Sequence, residues 1–322
     1  MSDDVTTSES FFPSAGRFRR DVPAQIAVTT WAPPGPPKAV LQLNHGMAEH
    51  IDRYDALARL AAGRGYLVVG MDFIGHGDSV EDPAQLGHAG LPMPSGRNVF
   101  LEDMGELRRR TQAQYPDLPY FMFGHSMGSF VLRAYLEDHG ENLAGAIICG
   151  SGAISRALLA GGQCLLWAVS LVRPPDYRSK LFFQMSLGQY NKPFAQNART
   201  EFDWLSRDPA EVDLYLNDPR CAFLFSLTAN AALLDASWRA GSPAAFTGPP
   251  LQLPLLIVSG ACDPVGGMGA GVTGVARQYE RAGKDVTLKL YDDVRHEIIN
   301  DYNRDAVMAD LLDWLDGRVT AA

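Results

Sequence analysis

A serine, a histidine and an aspartate can together open a carboxylic ester, and this chain holds each where such chemistry needs it. Ser126 stands in Gly124-His125-Ser126-Met127-Gly128. The residues just before it, Tyr120 to Phe123, form an aromatic, apolar run of the kind found in strands buried on both faces. After it the apolar residues Met127, Phe130, Val131, Ala134 and Tyr135 fall at helical spacing, up to a stop at Gly140. Gly-x-Ser-x-Gly alone is an ordinary glycine-rich turn. With a strand before it and a helix after it, the run predicts a nucleophile elbow: a turn so tight that only glycine fits two residues either side of the serine. The serine hydroxyl then stands at the mouth of a sheet, backed by the free N–H groups and positive dipole end of a helix.

A serine hydroxyl attacks only when a base takes its proton, and the base needs an orienting carboxylate. The chain has seven histidines. His125 adjoins Ser126 along the backbone, so its side chain points elsewhere; His45, His50 and His76 fall in early loops. His296 follows the last apolar strand and Asp263 follows the one before it. The order Ser126, Asp263, His296 is that of strand-to-helix serine hydrolases. Asp292 and Asp293 are the competing acids. The negative charge of a tetrahedral intermediate calls for backbone donors: Met127 N–H, next after the nucleophile, and Met47 N–H, in the loop after the Ala39–Leu43 run. His45, Glu49 and His50 make a His-x-x-x-Glu-His pattern, which misses the zinc spacing His-x-x-Glu-His by one residue. No metal and no cofactor are expected.

Apolar runs at 25–31, 39–43, 66–71, 120–123, 144–149, 254–258 and 286–291 alternate with helical patterns at 52–64, 98–115, 270–282 and 301–316. Most of these strands are too apolar to have a wet face, so the fold class is α/β, with a mostly parallel sheet covered by helices on both sides. Ligands bind such sheets beyond the carboxyl ends of their strands, where His45-Gly46, Asp72, Ser126 and Gly150 fall. The alternation stops between 151 and 250. Residues 1–150 and 251–322 are therefore expected to form one core, with 151–250 inserted as a largely helical cap. Within it, 157–172 is notably apolar and reads either as a buried helix or as a lid whose underside lines an acyl pocket.

Hydrophobic residues make up 46% of the chain and charged ones 20%, the balance of an ordinary globular protein. The net charge of −9 argues against nucleic acid and anionic membrane as electrostatic partners. Residues 1–4 show neither the basic nor the apolar part of a secretory signal, no run of 18 apolar residues exists, and the four cysteines lack metal spacing. A cytoplasmic protein with free thiols is expected.

These motifs together bring a family into view. The chain resembles the α/β-hydrolases of the monoacylglycerol lipase and lysophospholipase group. The resemblance is carried by His45-Gly46-Met47-Ala48-Glu49-His50-Ile51-Asp52-Arg53-Tyr54, Asp72-x-x-Gly75-His76-Gly77-x-Ser79, the run around Ser126, Asp263-Pro264-Val265-Gly266 and Arg295-His296-Glu297. It covers residues 25–150 and 250–316. It implies a Ser126-Asp263-His296 triad, an oxyanion hole at Met47 and Met127, and hydrolysis of single-chain lipid esters. Gly46, His125, Leu158, Leu159 and Val265 are expected to touch the substrate, and the cap to make transient membrane or micelle contact. The group also contains esterases and aminopeptidases. A peptidase would hold its substrate amine with acids in the insert, for which Glu201, Asp203, Asp208, Glu211 and Asp213 are available. A homologue that binds ligand without turnover is a third reading.

Overall fold

The computed structural model describes residues 4–94, 97–185 and 187–319. Its strands are β1 (Thr6–Pro13), β2 (Gln25–Ala32), β3 (Ala39–Asn44), β4 (Tyr66–Met71), β5 (Tyr120–His125), β6 (Gly145–Cys149), β7 (Leu255–Gly260) and β8 (Val286–Tyr291). They form one sheet in the order β1-β2-β4-β3-β5-β6-β7-β8, antiparallel across β1, β2 and β4 and parallel from β4 to β8. The expected α/β class and the expected strands hold. The addition is β1, which lies outside the apolar runs read from the sequence. Both of its faces are largely wet and only Phe12 turns inward to a buried site, so an edge strand here lacks the apolar signature of an inner one.

The helices are α1 (Asp55–Gly63), α2 (Val99–Gln114), α3 (Met127–His139), α4 (Arg156–Ser170), α5 (Lys180–Met185), α6 (Pro209–Asn217), α7 (Leu227–Ala240), α8 (Pro243–Thr247), α9 (Ala270–Arg281) and α10 (Arg304–Val319). Successive side chains of a strand point to opposite faces, and the inner strands divide accordingly. Val40, Tyr120 and Met122 join one core with α2, α3 and α9. Leu41, Leu43, Phe121 and Phe123 join the other with α1 and α10. This two-sided covering is why the inner strands carry no polar face.

Five α-helices, α4 to α8, lie between β6 and β7, and no described residue of 151–250 enters the sheet. Part of this stretch has a small core of its own: Phe202, Trp204, Leu205, Val212, Tyr215 and Cys221. Arg133 of α3 ties the stretch down near both ends. Its buried guanidinium donates to Gly152 O at 2.9 Å and to Ala240 O, at the negative end of α7, at 2.7 Å. No helix among the described residues is long and apolar enough to cross a membrane.

Candidate active site

The turn between β5 and α3 is as tight as its glycines predict. A Cβ on Gly124 would lie 2.5 Å from Gly128 O, and one on Gly128 would lie 2.3 Å from Asn44 O. Ser126 itself has φ 50° and ψ −118°, a region that side-chain-bearing residues seldom enter. Such backbone costs roughly 1–3 kcal/mol and persists only where its surroundings enforce it. Here β5 pairs with β6 on one side, Ser126 N–H donates to Cys149 O at 3.0 Å, and α3 begins at the next residue.

His296 and Asp263, 33 positions apart in sequence, meet beyond the carboxyl ends of β7 and β8. His296 Nδ1 lies 3.0 Å from Asp263 Oδ1, off the straight N–H···O line. Catalytic hydrogen bonds are often misaligned until substrate is bound. Asp263 is fully buried. Burial opposes its charge, but the facing His296, the Ser259 hydroxyl at 2.9 Å and the Val265 N–H at 2.8 Å outweigh that and hold its carboxyl below the usual range. The competitors Asp292 and Asp293 are exposed. Gly150 presses against both His125 and His296; a Cβ there would lie 3.1 Å from each ring.

The loop after β3 reaches the same place. A Cβ on Gly46 would lie 3.2 Å from Ser126 Cβ. Gly46 N–H is committed to Glu49 Oε1 at 2.5 Å, which leaves the next amide, Met47 N–H, as this loop's candidate for an oxyanion. Glu49 is the hub of a buried network that sequence reasoning missed. Its Oε1 also accepts from Tyr54 Oη at 2.8 Å and faces His125 Nδ1 at 3.4 Å. Its Oε2 accepts from Arg53 Nε at 3.1 Å. Burial resists its charge, yet His125 and Arg53 keep it well below the carboxylate range. Arg53 then reaches Glu297, the neighbour of His296. His125 is raised in turn: burial works against its cation, and Glu49 prevails. Glu49, Arg53 and Glu297 stood inside the quoted motifs, but their pairing was invisible because 244 positions separate its ends. His45 and His76 are packed away from this cavity. His45 Nε2 accepts from Phe73 N at 3.0 Å, which fixes its Nδ1–H toward Gly46 O at 2.7 Å.

Ser126, His296, Gly46, Met47 and His125 line one cavity of about 20 Å³, roofed by Leu187, Trp204, Leu205 and Tyr215. That is room for about one water. The roof is strapped to the His296 loop: Glu297 N–H donates to Leu205 O at 2.8 Å, and the Trp204 and His296 rings lie 5.0 Å apart. A much larger cavity, about 630 Å³, lies between α4, α7 and residues 89–94 and 97–99, lined by Leu91, Met93, Leu166, Trp167, Ala231 and Leu234 among others. The two share no lining residue. Met47, however, packs in the same apolar cluster as Met93, Val99 and Ala232, which line the large one. Leu158, Leu159 and Val265 line neither cavity: Leu158 is exposed, Leu159 is buried, and Val265 packs with the core of the 151–250 stretch while its amide holds Asp263.

The family model described as "Serine aminopeptidase, S33" matches residues 35–303. The chain is 28% identical to the "Monoglyceride lipase" of Mus musculus over 296 residues, 91% of this chain and 87% of that one. It is also 28% identical to the "Monoacylglycerol lipase" of Mycolicibacterium smegmatis, over 96% of this chain and 97% of that one. Among solved structures, a thermostable carboxyl esterase from Bacillus coagulans, in complex with glycerol, superposes with a TM-score of 0.87 at 30% identity, over 98% of this chain and 99% of that one.

Proposed function

Since the chain belongs to the serine aminopeptidase family of α/β-hydrolases and is a serine ester hydrolase acting on lipid esters, we propose that its substrates are single-chain lipids, monoacylglycerols or lysophospholipids. The observation that carries this reading is the convergence of Ser126, His296, Gly46 and Met47 on one cavity, with Asp263 behind His296. In this mechanism Ser126 Oγ attacks the ester carbonyl and its proton passes to His296 Nε2, while Asp263 holds the other ring nitrogen. The N–H groups of Met47 and Met127 receive the oxyanion, each worth ~3–4 kcal/mol. His296 then protonates the leaving alcohol, and water activated the same way releases the fatty acid.

Residues 151–250 serve as a cap over a core of 1–150 and 251–322. The roofed cavity is too small for an acyl ester, so substrate must displace Leu187, Trp204, Leu205 and Tyr215. The large apolar cavity then takes the chain. Ala231→Trp, which fills it from α7, is expected to lower turnover of esters with long acyl chains about tenfold and to leave acetyl and butyryl esters within twofold. Equal losses on long and short chains refute the assignment.

Four of the five acids that a peptidase would use to hold its amine are already engaged, and the fifth, Glu201, is exposed. Asp203 accepts from Arg199 N–H and the Thr200 hydroxyl, Asp208 caps α6, Glu211 pairs with Arg304, and Asp213 pairs with Arg199. Purified protein should hydrolyse a monoacylglycerol and leave a leucyl or prolyl amide intact. Preference for the amide overturns the ester reading.

Exposed Trp167, Leu171 and Val172 give the end of α4 a wet apolar patch for transient contact with lipid. Trp167→Ala is expected to weaken partitioning onto zwitterionic vesicles roughly tenfold. Unchanged sedimentation with vesicles rules out this face. All four cysteines are free, which suits a reducing, cytoplasmic setting.

A further inference from the structure

Apart from the ester chemistry, His50, Asp218 and Cys221 come together in one cluster. His50 belongs to the loop after β3, while Asp218 and Cys221 belong to the turn after α6. His50 Nε2 is 2.9 Å from Asp218 Oδ2, and one ligand atom from each of the three residues lies within 4.8 Å of the others. We propose that these three side chains bind a zinc-class transition-metal ion that ties the turn after α6 to the loop carrying Gly46 and Met47.

The donor set is one imidazole nitrogen, one sulfur and one carboxylate oxygen. That mixture selects zinc or cobalt over calcium and magnesium, which take mostly oxygens. The spacing suits a metal: Asp218-x-x-Cys221 is a short two-residue-gap pair and the third ligand is remote. The backbone builds the pair, since Cys221 N–H donates to Asp218 O at 3.0 Å, and Ala222 N–H donates to Ala48 O at 3.0 Å. The surroundings also fit. Metal-bound histidines are commonly oriented by a carboxylate on the other ring nitrogen. His50 Nδ1 is buried without a hydrogen-bond partner and lies 3.6 Å from Asp52 Oδ2. The second Asp218 oxygen is fixed by Arg220 N–H at 2.7 Å. Asp218 is partly exposed and gives an entry path, whereas His50 and Cys221 are buried. Binding releases the thiol proton of Cys221 and any proton held between His50 and Asp218, so uptake strengthens as pH rises. The Arg220 guanidinium, 2.9 Å from Asp52 and 3.6 Å from Asp218, offsets Asp52, so a dication on one thiolate and one carboxylate leaves the cluster neutral overall. Sequence spacing could not find it, because His50 and Asp218 stand 168 positions apart.

The test is titration with Co²⁺, read by thiolate-to-cobalt absorption in the near ultraviolet, and with Zn²⁺, read by melting temperature. One equivalent is expected to bind, with a rise in melting temperature that a chelator reverses. Cys221→Ser should lose the thiolate band, His50→Gln and Asp218→Asn should weaken binding at least tenfold, and Asp52→Asn should weaken it about 10–100-fold. Cys164→Ser and Cys262→Ser should match the parent. Circular dichroism establishes that each variant is folded. No uptake at a tenfold excess of metal, or a band that survives in folded Cys221→Ser, overturns the proposal and leaves His50 and Asp218 a simple ion pair.

Discussion

Ser126→Ala is expected to lower kcat on an acyl ester by about 10⁶-fold and to abolish labelling by a fluorophosphonate, with the fold unchanged. The size follows from the proposed role: without the hydroxyl there is no acyl-enzyme, and only backbone donors and binding remain. The elbow geometry adds a second expectation. Position 126 sits at φ 50° and ψ −118°, so alanine inherits the strain that serine bears, whereas glycine escapes it. Ser126→Gly should be as inactive as Ser126→Ala but more stable, by roughly 1 kcal/mol after glycine's larger unfolded-state entropy is offset. For a chain of this size that is a shift of about 1–2 °C in Tm. Residual turnover above a thousandth of the parent rate in Ser126→Ala would mean that the nucleophile lies elsewhere. An alanine variant more stable than the glycine one would remove the strain account.

What was legible in the sequence was what chemistry imposes locally. Buried strands must be apolar on both faces, so Tyr120 to Phe123 announced themselves, and an elbow must have glycine at 124 and 128, so the turn did too. The loop ends holding Asp263 and His296 followed from strand order. What stayed hidden depends on pairing across the chain. Arg53 and Glu297 look like any surface charges until the fold sets one on the other, and Trp204 looks like any aromatic until it roofs His296. The edge strand β1 was hidden for the opposite reason, since two wet faces leave no apolar pattern to read. Leu158 and Leu159 show the limit of helical periodicity. Neighbours on a helix point about 100° apart, so naming both as substrate contacts could not distinguish the exposed Leu158 from the buried Leu159. Arg53→Ala should test the hidden network, through paired loss of Glu49 and Glu297 partners at the two loops it joins.

Asp263→Ala should cost about 10⁴-fold in kcat, and Asp263→Asn should cost much less, roughly 10–100-fold. In serine protease triads the asparagine variant is severely impaired, by about 10⁴-fold, because its amide nitrogen faces the imidazole and imposes the wrong tautomer. Here the partners of the two oxygens differ. Oδ1 faces His296 Nδ1 and also accepts from Val265 N–H at 2.8 Å, so an amide nitrogen at that position would meet a backbone donor. Oδ2 accepts from the Ser259 hydroxyl, which can rotate to accept instead. Asparagine should therefore place its oxygen at the Oδ1 position, keep His296 in the productive tautomer, and lose only the charge. Losing the carboxylate charge that faces the imidazolium is expected to cost about 1.4–2.7 kcal/mol, which is the 10–100-fold named above. The sign with pH follows from the same carboxyl. Because its folded pKa is depressed, its ionised form contributes stability above the unfolded carboxylate range, and this is lost as pH falls through the folded value. The asparagine variant should lack that part of the acid sensitivity. Should kcat of the asparagine variant fall as low as that of the alanine variant, the amide nitrogen faces His296, and Val265 does not select the orientation.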